Sequence, residues 1–222
     1  ETAKKAKELW DSFALCDSHP YLTAKGVGSY GLRVTLSGRL AIPVLGSKNQ
    51  IVGLQYISNS QDEDGRWVKK FLTGTRKKGS FFAIGVEDIR TAPVINYAEG
   101  YATAASYYEQ HKEPTFITWD AGNIKEVVKV IGGYFPQAQH VIVADNDESG
   151  VGQEKAEAAH QELQLMGVEA KVIMPVKTGD YNDAVKEGVL VTPTKEITVP
   201  TAFDFNKNSN GRPLNTKDNV KG

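Results

Sequence analysis

The chain has 222 residues, of which 26 are Lys or Arg, 27 are Asp or Glu, and 40% are hydrophobic. The hydrophobic fraction supports a packed core and excludes a wholly disordered chain. A single cysteine, Cys16, excludes an internal disulfide and a zinc site built on several thiolates. No apolar run reaches the roughly 18 residues of a membrane span, and we expect a cytoplasmic protein without a membrane partner.

The charge is distributed unevenly along the chain. Residues 1–90 have a net charge of +5, residues 91–190 a net charge of −8, and residues 191–222 a net charge of +2. The acidic half can be an ordinary solvated surface. Alternatively, the basic half binds a polyanion while carboxylates of the acidic half bind cations. Composition alone does not choose between these interpretations.

Residues 1–90 are predicted to form a small, basic, mostly β subdomain that begins with a helix. Residues 2–16 have the apolar spacing of an amphipathic helix, and a short helical turn follows His19, with Pro at its start and Gly at its end. Short apolar runs broken by turn residues then predict strands, at residues 39–44, 51–57, 67–72 and 81–84. A hairpin turn is expected at residues 46–49.

From residue 91 the pattern changes to alternating strands and helices. Strands are predicted at residues 93–98, 115–119, 140–144 and 170–174, and helices at residues 100–111, from a cap at Asn123, at 150–166 and at 181–187. Near-continuous apolar strands alternating with helices predict an α/β domain over residues 91–190, with a parallel sheet covered by helices on both faces. Residues 191–222 are predicted to be a tail or linker.

The acidic residues of this region follow its strands. Glu99 comes directly after the first strand, Asp145 and Asp147 after the third, and Asp180 and Asp183 after the last. Because ligands of open α/β sheets collect at the carboxyl ends of the strands, we expect these side chains at one edge. Crowded carboxylates repel each other, and Mg²⁺, which favours oxygen ligands, removes that repulsion.

Each of these residues also has a purely structural interpretation. An Asp-x-Asp at a strand end is often a helix cap or a turn, and Asp180 and Asp183 can cap the helix that follows them. Asp120, at the end of the second strand, either caps the helix from Asn123 or joins the site. The combination of acidic residues in one βαβ series is more specific for a metal site than any single member.

These residues carry a resemblance to a known family. A strand followed by Glu99-Gly100, and a later strand followed by Asp-Asn-Asp-Glu-Ser-Gly at residues 145–150, is similar to the Toprim domain of primases, topoisomerases, small nucleases and recombination proteins. Residues 69–74 and 77–85 resemble the basic subdomain that precedes Toprim in DnaG-type primases. Four further segments resemble phage and conjugative-plasmid primases, at residues 19–22, 31–34, 99–104 and 120–123. The resemblance thus extends over residues 15–190.

The resemblance implies the catalytic core of a DNA primase that uses Mg²⁺ or Mn²⁺. Glu99 corresponds to the Toprim glutamate, a metal ligand or general acid/base, and Asp145 and Asp147 correspond to the catalytic, metal-binding Asp-x-Asp. Asp183, with Asp180, matches the later acidic stretch of primases, and Asp183 is the further predicted metal ligand.

Two features depart from the DnaG-type pattern. Thr103 stands where those primases often have a carboxylate, four residues after Glu99, which leaves the number and placement of metals open. A single cysteine cannot supply their zinc-binding module, so template selection has to come from elsewhere.

A primase holds single-stranded template and nucleoside triphosphates beside its metals, which gives the basic half a role. The predicted phosphate-binding groove consists of Lys69, Lys70, Arg76, Lys77 and Lys78. A solvated basic loop is the alternative interpretation. The aromatic residues near these segments are expected to pack in the core rather than stack on bases, namely Trp67, Phe81, Phe82, Tyr101 and Trp119.

The predicted function is the synthesis of short RNA primers on single-stranded DNA by metal-dependent nucleotidyl transfer. The expected partners are the DNA template, ribonucleoside triphosphates, and a helicase or other domains of a longer chain. A Toprim-type nuclease is the alternative within the family. A non-catalytic nucleic-acid-binding module is the alternative from another class.

Overall fold

The antiparallel sheet of the first half follows from short apolar runs separated by turns. A computed structural model describes residues 1–189 and 191–195. The sheet has five strands in the order β1 to β5, namely Ala14–Leu15, Arg33–Val34, Leu40–Leu45, Ile51–Gln61 and Trp67–Phe71. The predicted hairpin turn joins β3 to β4, where the Gly46 N–H donates to the Gln50 carbonyl at 2.9 Å.

Two helices cover this sheet on opposite faces. Helix α1 (Thr2–Ser12) buries Ala6 against Leu54 and Tyr56 of β4. Helix α2 (Pro20–Lys25) packs on the other face, where Tyr21 joins the main core. As predicted, His19 caps α2, because its Nδ1 accepts the Tyr21 N–H at 3.1 Å.

The second sheet has six strands in the order β11-β10-β9-β7-β8-β6. Four of them are mutually parallel, namely β7 (Val94–Ala98), β8 (Thr115–Ile117), β9 (Gln139–Val143) and β10 (Ala170–Pro175). The two edge strands are antiparallel to their neighbours, namely β6 (Phe82–Ile84) and β11 (Val191–Lys195). A short 3₁₀ turn, Ile89–Thr91, precedes β7.

Helices pack on both faces of this sheet, which confirms the predicted α/β architecture. Helices α3 (Tyr101–His111) and α6 (Tyr181–Lys186) share one core with the first sheet, whereas α4 (Ala121–Tyr134) and α5 (Val151–Leu165) lie on the other face. In the central strand β9, Val141 faces the first core and Ile142 the second, so its continuous apolar run is buried on both sides. Within the described ranges, none of the helices combines the length and the apolar composition that crossing a bilayer requires.

Two strands differ from the sequence-based expectation. Strand β6 does not belong to the first sheet: Phe82 pairs with Ile117 of β8, while the preceding Phe81 forms a bridge to Leu45 of β3. The backbone groups of β6 thereby complete the edge of the parallel sheet. Residues 191–195, expected as part of the tail, form β11 and cover the other edge, and residues 196–222 of that predicted tail lie outside the described residues.

The cap of helix α4 also differs. Asp120, not Asn123, is its N-cap, because the Asp120 carboxylate accepts the Asn123 N–H at 3.0 Å. Asn123 lies one turn inside the helix and is buried. Its side chain accepts the Gly79 N–H at 2.7 Å and donates to the Ser80 carbonyl at 2.9 Å. The loop before β6 is therefore bound to the start of α4.

Candidate active site

A cleft of about 180 Å³ lies at the carboxyl ends of the parallel strands. Glu99 follows β7, Asp145 follows β9, and Asp180 follows β10, and all three side chains line the cleft. Lys25, at the end of α2, and Lys69, in β5, line the opposite side. The cleft thus joins the acidic edge of the second sheet to the basic first half of the chain.

Hydrogen bonding of the backbone fixes the position of Glu99. The Trp119 N–H donates to the Glu99 carbonyl at 2.9 Å, and the next residue, Gly100, is the N-cap of α3. Burial raises the pKa of the Glu99 carboxyl, and the negative charge of Asp120 raises it further, while the Lys69 ammonium lowers it. Glu99 is therefore a carboxylate that would be stabilised by an added cation.

Asp145 is the most perturbed acid of the cleft. Burial, together with the negative charges of Glu99 and Asp180, raises its pKa to about 7. Its Oδ1 is buried and has no hydrogen-bond partner in the described part of the chain. A buried carboxylate oxygen without a partner raises the free energy of the folded protein. Binding of a cation or a proton would therefore stabilise Asp145.

Asp147 has a different environment from Asp145. Its carboxylate accepts a hydrogen bond from the Ser149 hydroxyl and, at 2.7 Å, the Gly152 N–H in the first turn of α5. These bonds lower the pKa of Asp147. A side chain at Gly152 would put its Cβ 2.6 Å from Asp147 Oδ2, so the close approach requires glycine. Asp147 is not among the residues that line the cleft, although its charge still raises the pKa of both Glu99 and Asp145.

Asp180 and Asp183 lie at the start of α6. Asp180 is the N-cap and accepts the Asp183 N–H at 2.8 Å. Both carboxylates face Lys25, whose Nζ lies 3.9 Å from Asp180 Oδ2 and 3.3 Å from Asp183 Oδ1. Asp180 lines the cleft, whereas Asp183 borders it through this ion pair.

Lys25 was missed by the sequence-based reasoning. Its only local signal is its position at the end of α2, directly before Gly26, which adopts a left-handed conformation with φ 69°. The contact with Asp180 and Asp183 depends on the packing of α2 against α6, where Asn182 donates to the Lys25 carbonyl at 2.7 Å. Sequence periodicity does not report contacts between segments so far apart in the chain.

The five predicted basic residues do not form one groove. Lys69 lines the cleft and is exposed to solvent over part of its side chain. Burial of its ammonium lowers the pKa of that group, and the Lys25 charge lowers it further. Lys70, the next residue of β5, pairs with Tyr56, which packs under α1. Because side chains alternate along a strand, Lys70 lies on the opposite face of the sheet from Lys69.

The other three basic residues divide between two surfaces. Lys77 Nζ lies 2.8 Å from Asp120 Oδ2, at the margin of the acidic edge. Arg76 and Lys78 line a second hollow of about 370 Å³, together with Lys129 of α4. Only Lys69 and Lys77 are therefore positioned beside the acidic residues.

The aromatic and histidine side chains are mostly structural. The predicted core residues Phe81, Phe82 and Tyr101 are buried, and Trp67 packs against the main core. Three histidines form hydrogen bonds within the protein: His111 with the Tyr181 hydroxyl, His140 with the Tyr97 hydroxyl and the Phe135 carbonyl, and His160 with the Ala170 carbonyl. Tyr101 and Trp119 are the exceptions, because both are buried and also line the cleft.

The fit of the cleft to a divalent cation rests on two carboxylates. In residues 1–189 and 191–195, no group of three or more His, Cys, Asp or Glu side chains is arranged to hold a metal ion. Glu99 and Asp145 nevertheless share the cleft, and the negative charge of Glu99 raises the pKa of Asp145. Asp145 Oδ1 also has no hydrogen-bond partner among the described residues. Mg²⁺ is commonly bound by one or two carboxylates, with water and substrate phosphates completing its ligands. The donor set therefore fits Mg²⁺ or Mn²⁺ bound together with a phosphate.

The chain is similar to known proteins over most of its length. The Toprim domain family matches residues 94–189. A DNA primase TraC from Escherichia coli is 33% identical over 197 residues, which cover 84% of this chain and 13% of the relative. Residues 94–189 therefore form a Toprim domain, and most of the chain is similar to a DNA primase. A second DNA primase TraC from Escherichia coli is 32% identical over 184 residues, with coverage of 78% of this chain and 16% of the relative.

Solved primase structures have a fold similar to that of this chain. The Aquifex aeolicus primase, a structure of its zinc-binding and RNA polymerase domains, has a TM-score of 0.61 at 14% identity, covering 83% of this chain and 57% of that chain. A DnaG primase catalytic domain bound to single-stranded DNA also has a TM-score of 0.61, at 10% identity, covering 83% of this chain and 74% of that chain. The family resemblance inferred from the sequence is confirmed.

Proposed function

We propose that the chain is a DNA primase catalytic core that joins ribonucleotides on a single-stranded DNA template. The observation that carries the proposal is the convergence of Glu99 and Asp145 in one cleft with Lys69. Nucleotidyl transfer needs negative charge neutralised around a reacting phosphate, and this cleft combines two carboxylates that could bind a cation with the ammonium of Lys69. The family and the primase-like fold support the same reaction.

Glu99 and Asp145 would hold Mg²⁺ or Mn²⁺, with Asp147 and Asp183 as the further candidate ligands from the sequence. When bound, the cation would polarise the phosphate oxygens and offset the repulsion between the carboxylates. In the alternative role of a general base, without a cation bound to it, the raised pKa of Glu99 would suit its carboxylate to receive the proton of the primer 3′-hydroxyl.

Phosphate binding is proposed for the basic residues beside the acidic edge, Lys69 and Lys77. The first turn of α3, residues 101–103, lines the same cleft, and the N-terminus of a helix favours an anion there. Arg76 and Lys78 face the second hollow, where the template backbone is the proposed ligand. Lys70 remains a candidate contact only for nucleic acid on the α1 side of the sheet.

Further partners are proposed for a longer protein that would contain this chain. The chain spans 13% and 16% of the length of the two TraC primases that it matches. Other domains of such a protein, or a helicase, would therefore supply template selection, since the single cysteine cannot form a zinc module of several thiolates. The cytoplasm, where free thiols persist, is the proposed compartment.

A primer-synthesis assay tests this function. The chain is incubated with random-sequence single-stranded DNA, labelled ribonucleoside triphosphates and Mg²⁺ or Mn²⁺, and wild type is compared with Glu99→Gln. Glu8→Gln, an exposed change in α1, is the matched control. We expect primers from wild type and the control, and at least a hundredfold loss in Glu99→Gln.

The same assay separates the alternatives. Cleavage of the DNA without nucleotides would favour a Toprim-type nuclease. A non-catalytic binding module is favoured by one observation, the lack of a group of three potential metal ligands within the described part of the chain. Its signature would be salt-sensitive DNA binding that EDTA does not change, with no primer from any variant.

A further inference from the structure

Trp119 has a strained backbone at the wall of the cleft. Its φ is +75°, in the left-handed region that bulky residues rarely adopt. The turn lets the Trp119 N–H reach the Glu99 carbonyl at 2.9 Å. Glycine or asparagine would meet this backbone demand at lower cost, so the backbone conformation does not explain why an indole stands there.

The indole ring lies against the cleft and not wholly inside the core. Trp119 is 7% exposed, its ring meets Phe71 edge-to-face at a centroid distance of 5.8 Å, and it lines the cleft with Glu99 and Asp145. Its Nε1 is buried and has no hydrogen-bond partner in the described part of the chain. An indole N–H is only a donor, so it needs an acceptor that these protein residues do not supply.

Tyr21, in α2 of the first half of the chain, likewise has a buried donor at the cleft. It is 1% exposed and lines the same cleft. Its hydroxyl has no acceptor for its proton among the described residues, although the Ala102 backbone N–H lies close enough to lower its pKa. The Lys69 ammonium lies 5.9 Å from the centre of the Tyr21 ring. Two residues with buried donors, Trp119 and Tyr21, therefore line one small space together with Lys69. Buried polar groups are rarely left unpaired in folded proteins, which indicates that a ligand completes them.

The size and charge of the space select the ligand class. About 180 Å³ is smaller than the roughly 300 Å³ at which pockets for whole drug-sized molecules begin. A phosphate group fits this space, is rich in acceptors and has no donors in its ionised form. We propose that the Trp119 indole N–H and the Tyr21 hydroxyl donate hydrogen bonds to phosphate oxygens of a nucleoside triphosphate bound in the cleft.

This inference rests on the proposed function, because it assumes that a nucleotide enters the cleft. It adds that recognition of the triphosphate depends on two buried neutral donors, besides the ammonium groups. Neither residue is required to take part in proton transfer. Both are ligand-contacting residues, and their replacement should weaken binding of the triphosphate more than it changes the folding of the chain.

Calorimetric titration with ATP and Mg²⁺ tests the proposal. Trp119→Phe and Tyr21→Phe keep an aromatic ring and remove only the donor, and each should raise the Kd for ATP about tenfold. Trp10→Phe, in α1, is the matched control and should bind like wild type. Equal Kd values for Trp119→Phe and wild type would overturn the assignment, because the indole would then be satisfied by water only.

A second measurement covers the case in which Trp119→Phe does not fold. Trp119 is one of three tryptophans, so in the Trp10→Phe/Trp67→Phe protein the indole fluorescence reports on Trp119 alone. Addition of ATP with Mg²⁺ should change that emission, and an unchanged spectrum at saturating ATP would reject the contact. If wild type does not bind ATP at all, the proposed function fails together with this inference, whereas tight binding unaffected by either variant contradicts the inference alone.

Discussion

Lys77 Nζ lies 2.8 Å from Asp120 Oδ2, and this contact joins the basic loop before β6 to the N-cap of α4. The same Asp120 is the nearby charge that most raises the pKa of Glu99. Lys77 therefore offsets a negative charge that acts on the proposed catalytic carboxylate. The basic half influences the acidic edge here through a pairwise interaction, in addition to any contact with nucleic acid.

Removal of the Lys77 charge should change the pH dependence of the reaction. In Lys77→Met the charge of Asp120 is no longer compensated, so the pKa of Glu99 rises further. The acidic limb of the pH–rate profile should move to higher pH, and the shift should be small because Lys77 and Asp120 are both partly exposed. The matched control is Lys78→Met, which removes an ion pair with Glu126 instead. Equal shifts in the two variants would contradict the specific role of Lys77.

Lys69 and Lys70 offer a matched pair of substitutions on one strand. Lys69 lines the cleft, whereas the register partner of Lys70 packs under α1. Lys69→Met should reduce primer synthesis at least tenfold, and Lys70→Met should leave it within about twofold, because only the first removes a charge beside the reacting phosphate. Primer yield at fixed nucleotide concentration measures both. Similar losses in the two variants would indicate a diffuse basic surface.

The stability of the metal-free protein should depend on pH through Asp145. Its pKa is raised from 3.8 to about 7 in the folded protein, so the folded state binds a proton more tightly than the unfolded state. This contribution is largest below about pH 4 and is lost as pH rises through 7. With discounting for water in the cleft, we expect a loss of about 1–2 kcal/mol in the free energy of unfolding.

Urea unfolding in EDTA at pH 5 and pH 8 measures that loss. Asp145→Asn should remove most of the difference and stabilise the metal-free protein at pH 8. Asp147→Asn is the contrasting variant: hydrogen bonds from Ser149 and Gly152 lower the pKa of Asp147, so its contribution to stability is present at neutral pH and is lost in acid. If Asp145→Asn left the pH dependence unchanged, the raised pKa would be rejected.

Asn123 should be a structural residue of the loop–helix junction. It is buried, and its side chain also donates to the Thr118 carbonyl at 2.8 Å, besides its bonds to Gly79 and Ser80. Asn123→Ala leaves these groups without partners, so we expect a loss of about 2–4 kcal/mol in the free energy of unfolding. Gln161→Ala, on the exposed face of α5, should change it by less than about 0.5 kcal/mol.

The alternation of strands and helices was predictable because it depends on the local spacing of apolar residues. The carboxyl ends of β7 and β9 could therefore be located, and with them Glu99 and Asp145. The partner of Asp147 could not be predicted, because an Asp-x-Asp can ligate a cation or cap a helix. The hydrogen bonds that its carboxylate accepts from Ser149 and Gly152 appear only in three dimensions.

Features that depend on packing between distant segments were not predictable. Lys25 reaches Asp180 only because α2 lies against α6. The alternation of Lys69 and Lys70 follows from strand geometry, but which of them faces the cleft depends on where the second sheet packs. The transfer of β6 to the parallel sheet likewise depends on an open edge at β8.

The central claim is that Glu99 and Asp145 together bind the divalent cation of the reaction. Calorimetric titration of Mn²⁺ into the chain, in the presence of a nucleoside triphosphate, measures this directly. Wild type should bind the cation, and Glu99→Gln and Asp145→Asn should each weaken that binding at least tenfold while the far-UV circular dichroism stays unchanged. Binding of Mn²⁺ with wild-type affinity by both variants would contradict the account.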